Sequence, residues 1–179
     1  MMNFPILSFL ILLPSVGALF LFFTTSKKEN NVTVKYVALF TSLVNFFLSI
    51  YLWILFDQST SNFQFVEDRI WIEGFINYKV GIDGISILFI ILTTFITPLC
   101  ILSVNNTIKN RLRDFLIAIL IMESFMIGVF CSLDLFVFYL FFEAGLIPMF
   151  LIIGIWGGVR RVYSAFKFFL FTLLGSVLM

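Results

Sequence analysis

The sequence predicts an all-α integral membrane protein with about six transmembrane helices, the last incomplete at residue 179, and with its N-terminus outside. Three observations predict it. Of 179 residues, 61% are hydrophobic, 19% aromatic and only 12% charged, with 26 Phe, which is far more apolar than a soluble domain of this size can bury. Apolar runs recur at about the 20 residues that a helix needs to cross the hydrocarbon. The connections between those runs alternate between basic and acidic.

The first run, 4–23, has no basic residue before it and no small-residue cleavage site, so it reads as a retained helix rather than a signal peptide. The second and third runs cover 36–56 and 82–104, and the fourth and fifth 115–133 and 134–156. A sixth opens near Val162 and is still apolar at Met179, as expected of a helix that continues in a longer protein.

The linkers set the orientation. Lys27, Lys28 and Lys35 lie in 24–35, Lys109, Arg111 and Arg113 in 105–114, and Arg160 and Arg161 in 157–161 with Lys167 just beyond. The intervening linkers hold Asp57, Glu67, Asp68 and Glu73 against Arg69 and Lys79, and then Asp134 alone. Basic residues cluster on the cytoplasmic side of membrane proteins, so 24–35, 105–114 and 157–161 are expected inside and 57–81 outside. The chain is divided into 1–114, the first three helices with the external loop 57–81, and 115–179, helices four to six with the last incomplete.

Within the external linker, "RIWIEGFINYKV" (69–80) alternates on both sides of Glu73-Gly74, which fits a short β-hairpin on the membrane surface or an irregular loop. Asp83, three residues before Ser86, reads as the N-cap of the third helix, and Asp134 opens the fifth in the same way. Gly154 and Gly158 form a GxxxG at the inner end of the fifth run, which fits close packing or an exit turn.

Several function classes fall away. A net charge of +1 gives no basic field for nucleic acid. With no His there is no imidazole ligand or His-dependent triad, and Cys100 and Cys131 sit inside apolar runs as small packing residues rather than a disulfide framework. The ten glycines form no P-loop or dinucleotide fingerprint.

What remains is the chemistry inside the bilayer. "FYLFFEAGLIPMF" (138–150) sets Glu143 in an apolar run with Pro148 five residues on. An acidic residue at a helix centre costs roughly 2.5–3.5 kcal/mol and persists where it faces a polar interior or a partner. A carboxyl there lies between desolvation, which favours the neutral form, and any neighbouring cation, which favours the charged one, so it suits proton uptake and release. Pro148 has no N–H to give the Ala144 carbonyl, and a kink with a freed carbonyl is expected there as a hydration site beside Glu143. Glu123 reaches a comparable depth on the preceding helix and is a second relay candidate, with a neutral hydrogen-bonded acid as its structural reading. Pro98 repeats the proline device, with Thr93, Thr94 and Thr97 as hydrogen-bonding partners. Lys167 either snorkels to the inner interface or serves as an internal cation.

"SLDLFVFYLFFEAGLIPMFLIIGIWGG" (132–158), "RRVYSAFKFFLFTLLGS" (160–176) and "VGIDGIS" (80–86) together resemble the subunit M family of the proton-pumping NADH:quinone oxidoreductase, respiratory complex I. The resemblance implies a chain of about fourteen helices built on inverted repeats. It also implies that Glu143 is the fifth-helix glutamate that pairs with a lysine on the seventh helix, beyond this sequence. No fixed role passes to Glu123 or Lys167. No redox cofactor is implied on this chain; NADH, flavin (FMN), iron–sulfur clusters and quinone belong to other subunits. The implied partners are the lipid bilayer and the other membrane subunits, especially the sister antiporter-like ones, with no nucleic acid. The implied location is the bacterial inner membrane, or the mitochondrial inner membrane for an organellar protein. A multi-subunit Na⁺/H⁺ antiporter or membrane-bound hydrogenase shares this pattern, and a non-catalytic scaffold is the remaining alternative.

Overall fold

The computed structural model describes residues 5–23, 31–60, 62–72, 76–104, 108 and 111–178. Six helices and one hairpin follow in chain order: α1 (Ile6–Phe23), α2 (Asn31–Leu55), β1 (Gln64–Ile72), β2 (Ile76–Ile82), α3 (Gly84–Ser103), α4 (Leu112–Cys131), α5 (Leu135–Trp156) and α6 (Arg161–Val177). The first three helices and the next two are each long and apolar enough to cross a membrane. At 1.5 Å per residue, the 22 residues of α5 reach about 33 Å, enough for the hydrocarbon.

The helices alternate up and down, and α1 to α4 pack on one another while α5 packs on α4 and α6 on α5. Close approaches are made where a side chain is missing. A Cβ on Gly128 would stand 2.7 Å from the Phe141 ring, so the glycine lets α4 and α5 meet face to ring. Gly17 does the same for α1 against Thr41 of α2. Such small-residue contacts are the usual means of joining helices when lipid offers no hydrophobic drive. Gly154 packs against Ala165 of α6, and Gly158 faces open space in the following turn, so the GxxxG serves both packing and exit.

Two apolar clusters fill the α1–α4 bundle. One, at the outer end, joins Leu7 and Leu10 of α1, Leu52 of α2, Ile87 and Ile90 of α3, and Ile127 of α4. The other, at the inner end, joins Ala18 and Leu21, Val34 and Ala38, Ile101, and Leu116 with Leu120. On all four helices the residues between these clusters include buried or half-buried polar ones: Ser15, then Ser42, Asn45 and Ser49, then Thr94 and Thr97, then Glu123 and Ser124. The bundle is thus apolar, polar, apolar along its axis.

The external linker is a hairpin. β1 and β2 pair antiparallel with Glu67 opposite Val80, Asp68 opposite Lys79 and Arg69 opposite Tyr78. It begins at Gln64, five residues earlier than the alternation suggests, because an irregularity between Gln64 and Glu67, with Phe65 at φ 53°, breaks the period-2 pattern. The expected turn at Glu73-Gly74 lies outside the described residues, as do Lys27, Lys28, Glu29 and Lys109. α2 starts at Asn31 rather than near 36, so Lys35 is helical and extends its ammonium toward the Leu102 carbonyl, 3.5 Å away at the end of α3.

The hairpin clamps the outer ends of the bundle. Glu67 Oε1 accepts from the backbone N–H of Leu7 (2.9 Å) and Ser8 (3.3 Å), and its other oxygen accepts from the Ser8 hydroxyl. The carboxylate therefore caps α1, whose first N–H groups have no partner in their own helix and whose dipole favours negative charge. Tyr78 bonds the same hydroxyl at 3.1 Å, and burial holds its phenol above the ordinary tyrosine range. Beyond β2, the Leu133 N–H donates to the Lys79 carbonyl (3.0 Å) and Val80 bridges Ser132, which ties the α4–α5 turn to the hairpin. The N-terminus of α1, the hairpin and the 132–134 turn therefore share one end of the molecule, as the alternation of the linkers requires.

Both expected N-caps are made. Asp83 accepts from Ser86 N–H at 2.7 Å, and Asp134 from Phe136 and Val137 N–H at 2.8 and 3.3 Å. The Ser86 side chain and backbone hold the Asp83 carboxyl below the usual aspartate range. A carboxyl with a lowered folded value stabilises fully above its unfolded value, and that contribution disappears as pH falls through the folded one.

Two outcomes follow from this architecture. In full-length protein lacking Cys100 and Cys131, single cysteines at Asn62 and Arg160 are expected to label from opposite faces, Arg160→Cys from the cytoplasm; labelling of both from one face would reject the topology. Glu67→Ala removes charge-assisted bonds to α1 and is expected to cost about 2 kcal/mol, seen as a lower unfolding midpoint and faster external proteolysis of 57–63. Asp68→Ala is the matched control, since the half-exposed Asp68–Lys79 pair at 3.7 Å contributes under about 1 kcal/mol.

Candidate functional site

The two intramembrane carboxylates start from the same turn. Glu123 lies eight residues before Cys131 and Glu143 eight residues after Leu135, so each is about 12 Å below the α4–α5 turn on antiparallel helices. Equal depth gives them different neighbours, because α4 is enclosed by α1, α2 and α3 while α5 presents its far side to α6.

Glu143 is half-buried between α5 and α6. Its Oε1 accepts from the hydroxyl of Ser176, itself buried, which also donates to the Leu173 carbonyl at 2.9 Å. Tyr139, one turn before Glu143 on the same face, brings its phenol into this cluster. A carboxyl with two hydroxyls has donors and acceptors in either protonation state, since each hydroxyl can rotate to give or accept. That is the requirement for passing a proton without leaving an orphaned polar group.

Pro148 is buried, and α5 continues through it to Trp156. It leaves the Ala144 carbonyl without its in-helix N–H, one residue from Glu143. Pro14 and Pro98 are likewise buried within α1 and α3. In all three helices the interrupted ladder faces protein, where such backbone is tolerated in a membrane. The threonines beside Pro98 turn back on their own helix: Thr93 donates to the Phe89 carbonyl (2.8 Å), Thr94 to Ile90 and Thr97 to Thr93 (both 3.0 Å).

Glu123 is 2% exposed and Asn45 of α2 fully enclosed; the Asn45 amide donates to Glu123 Oε1 at 2.9 Å. Around them Ser15 and Ser124 bond at 2.8 Å, Ser124 donates to the Ile11 carbonyl at 2.6 Å, and Ser49 pairs with Thr94 at 2.8 Å. Glu123 and Glu143 thus engage different helices, α2 and α6.

Lys167 is exposed on α6 with its ammonium 5.9 Å from the Tyr163 ring centre. It precedes Ser176, the partner of Glu143, by nine residues, or about 13 Å of helix.

Two partners escaped the sequence reading. Ser176 is a lone hydroxyl near the end of an apolar run, and nothing local connects it to residue 143. The α2 stripe of Ser42, Asn45 and Ser49 did leave a signal: spacings of three and four place them on one helix face.

Residues 132–179 match the family described as NADH:quinone oxidoreductase/Mrp antiporter, TM. The NADH-quinone oxidoreductase subunit M of Rhodobacter capsulatus is 59% identical over 145 residues, covering 81% of this chain and 28% of that protein. The subunit M of Rickettsia typhi is 47% identical across 99% of this chain and 37% of its own length. The NADH-ubiquinone oxidoreductase chain 4 of Marchantia polymorpha is 47% identical across 97% of this chain and 35% of its own length. The chain spans about a third of the length of these relatives. Glu143, Pro148 and Ser176 all lie inside the matched stretch, and the similarity to relatives named subunit M or chain 4 extends along nearly the whole of this chain.

Proposed function

We propose that this chain is part of a proton-translocating membrane subunit of NADH:quinone oxidoreductase, in the bacterial or mitochondrial inner membrane, and that Glu143 is its proton-relay carboxylate. One observation carries the proposal. A carboxylate about 12 Å deep in a membrane helix lies within the family-matched stretch and is bonded to a hydroxyl of the next helix rather than to a fixed cation. Ser176 and Tyr139 extend the relay: when Glu143 accepts a proton, either hydroxyl can turn its own hydrogen away, and when Glu143 is ionised both can donate to it. The proton is the transported species, while NADH, FMN, iron–sulfur clusters and quinone are carried by other subunits. The other membrane subunits of the complex, including the antiporter-like ones, are the partners. The 115–179 segment is the beginning of the translocating unit, and 1–114 supports it.

In the full-length subunit within its complex, Glu143→Gln keeps size and hydrogen bonding but removes titration. Assembly is expected to survive while NADH-driven proton uptake into inverted vesicles, normalised to assembled complex, falls at least tenfold. Glu143→Asp is expected to retain part of the activity. A Gln variant that pumps at the parent rate would reject the relay and favour a scaffold. Ser176→Ala should leave assembly intact and slow pumping several-fold, with Ser176→Thr restoring most of it; equal rates in all three would remove the hydroxyl from the relay.

A further inference from the structure

The polar layer of the α1–α4 bundle contains an unbalanced pair. The Asn45 amide nitrogen donates to Glu123 Oε1, but Glu123 Oε2 and Asn45 Oδ1 are both buried and both without a hydrogen-bond partner. They are the second oxygen of the carboxyl and the single oxygen of the amide, two planar groups already joined through Oε1 and Nδ2. With Glu123 ionised, both orphaned atoms are pure acceptors and neither can serve the other. One proton on Oε2 changes the count, since the carboxylic acid then has a donor to offer and the amide oxygen an empty acceptor.

We propose that Glu123 and Asn45 form a buried proton-binding site, separate from Glu143, in which the proton resides on Glu123 Oε2 and is donated to Asn45 Oδ1. Among the described residues no cation pairs with the carboxyl. Of the elements packed against α4, α1 has no ionisable side chain; α2 carries Lys35, Tyr36 and Tyr51, and α3 carries Cys100. α5 carries Tyr139 and Glu143, β2 carries Tyr78 and Lys79, and α4 itself holds Arg113, Asp114 and Cys131. Among the described residues none of these hydrogen-bonds or ion-pairs with Glu123; Asn45 alone does. The site lies between the two apolar clusters, with the Ser15–Ser124 and Ser49–Thr94 hydroxyl pairs in the same layer. The site stands on the α1–α4 bundle and does not depend on Glu143 being a pump residue.

The test is infrared spectroscopy of the full-length subunit in its complex, reconstituted in lipid at neutral pH. A carboxylic-acid C=O band is expected that is absent in Glu123→Gln, moves down in D₂O, and moves up in Asn45→Leu as the hydrogen bond is lost. Asn45→Ser, smaller and polar, provides the same comparison if the leucine variant fails to assemble. No band lost in Glu123→Gln would show an ionised carboxylate and overturn the proposal. So would a band that fails to shift in D₂O, or one that sodium ions abolish, which would make the pair a metal-cation site. Glu143→Gln is expected to leave this band in place, which keeps the outcome separable from the role of Glu143.

Discussion

Every polar group in this molecule that enters hydrocarbon must find its partner in the protein, because lipid offers none. The rest of the structure follows from that constraint. Pro14, Pro98 and Pro148 each interrupt a helical ladder, and each is turned into the bundle. The serines and threonines of α2 and α3 return their hydroxyls to carbonyls three or four residues back, as Ser42 does to Leu39 and Ser49 to Phe46. Hydroxyls that also reach between helices meet in one layer. An exposed hydroxyl would cost several kilocalories per mole in lipid, whereas the Ser15–Ser124 and Ser49–Thr94 contacts lie inside the bundle and join α1 to α4 and α2 to α3.

The outer end is organised by charge. Glu67 reaches from β1 to the first N–H groups of α1, and β2 takes the α4–α5 turn through Lys79 and Val80. A two-stranded hairpin is marginal in isolation; this one is tied to α1 through Glu67 and to the α4–α5 turn through Lys79 and Val80. The common depth of the two carboxylates is measured from that turn.

Glu123 and Glu143 show how depth and surroundings divide the work of two similar groups. Four helices close around Glu123, and its amide partner leaves one oxygen on each side waiting for a proton. Glu143 instead meets α6 through the Ser176 hydroxyl, which can give or accept a hydrogen bond.

The sequence by itself determined the number and order of the spans, their alternation, the caps at Asp83 and Asp134, and the presence of a carboxylate beside a proline at 143–148. Each is a local property: run length, linker charge, a capping side chain three residues from its target, a charge inside an apolar window. It also carried the wording that resembles one family. What it left open was direction. These helices are apolar nearly all the way round, since lipid and a protein interior are equally apolar, so periodicity does not reveal which face turns inward. The pairing of Glu123 with Asn45, 78 residues away, and of Glu143 with Ser176, 33 away, was decided only by the packing of α2 against α4 and of α6 against α5. The early start of the hairpin at Gln64 was hidden for a related reason. Its first residues break the alternation because β1 is irregular between Gln64 and Glu67, with Phe65 at φ 53°.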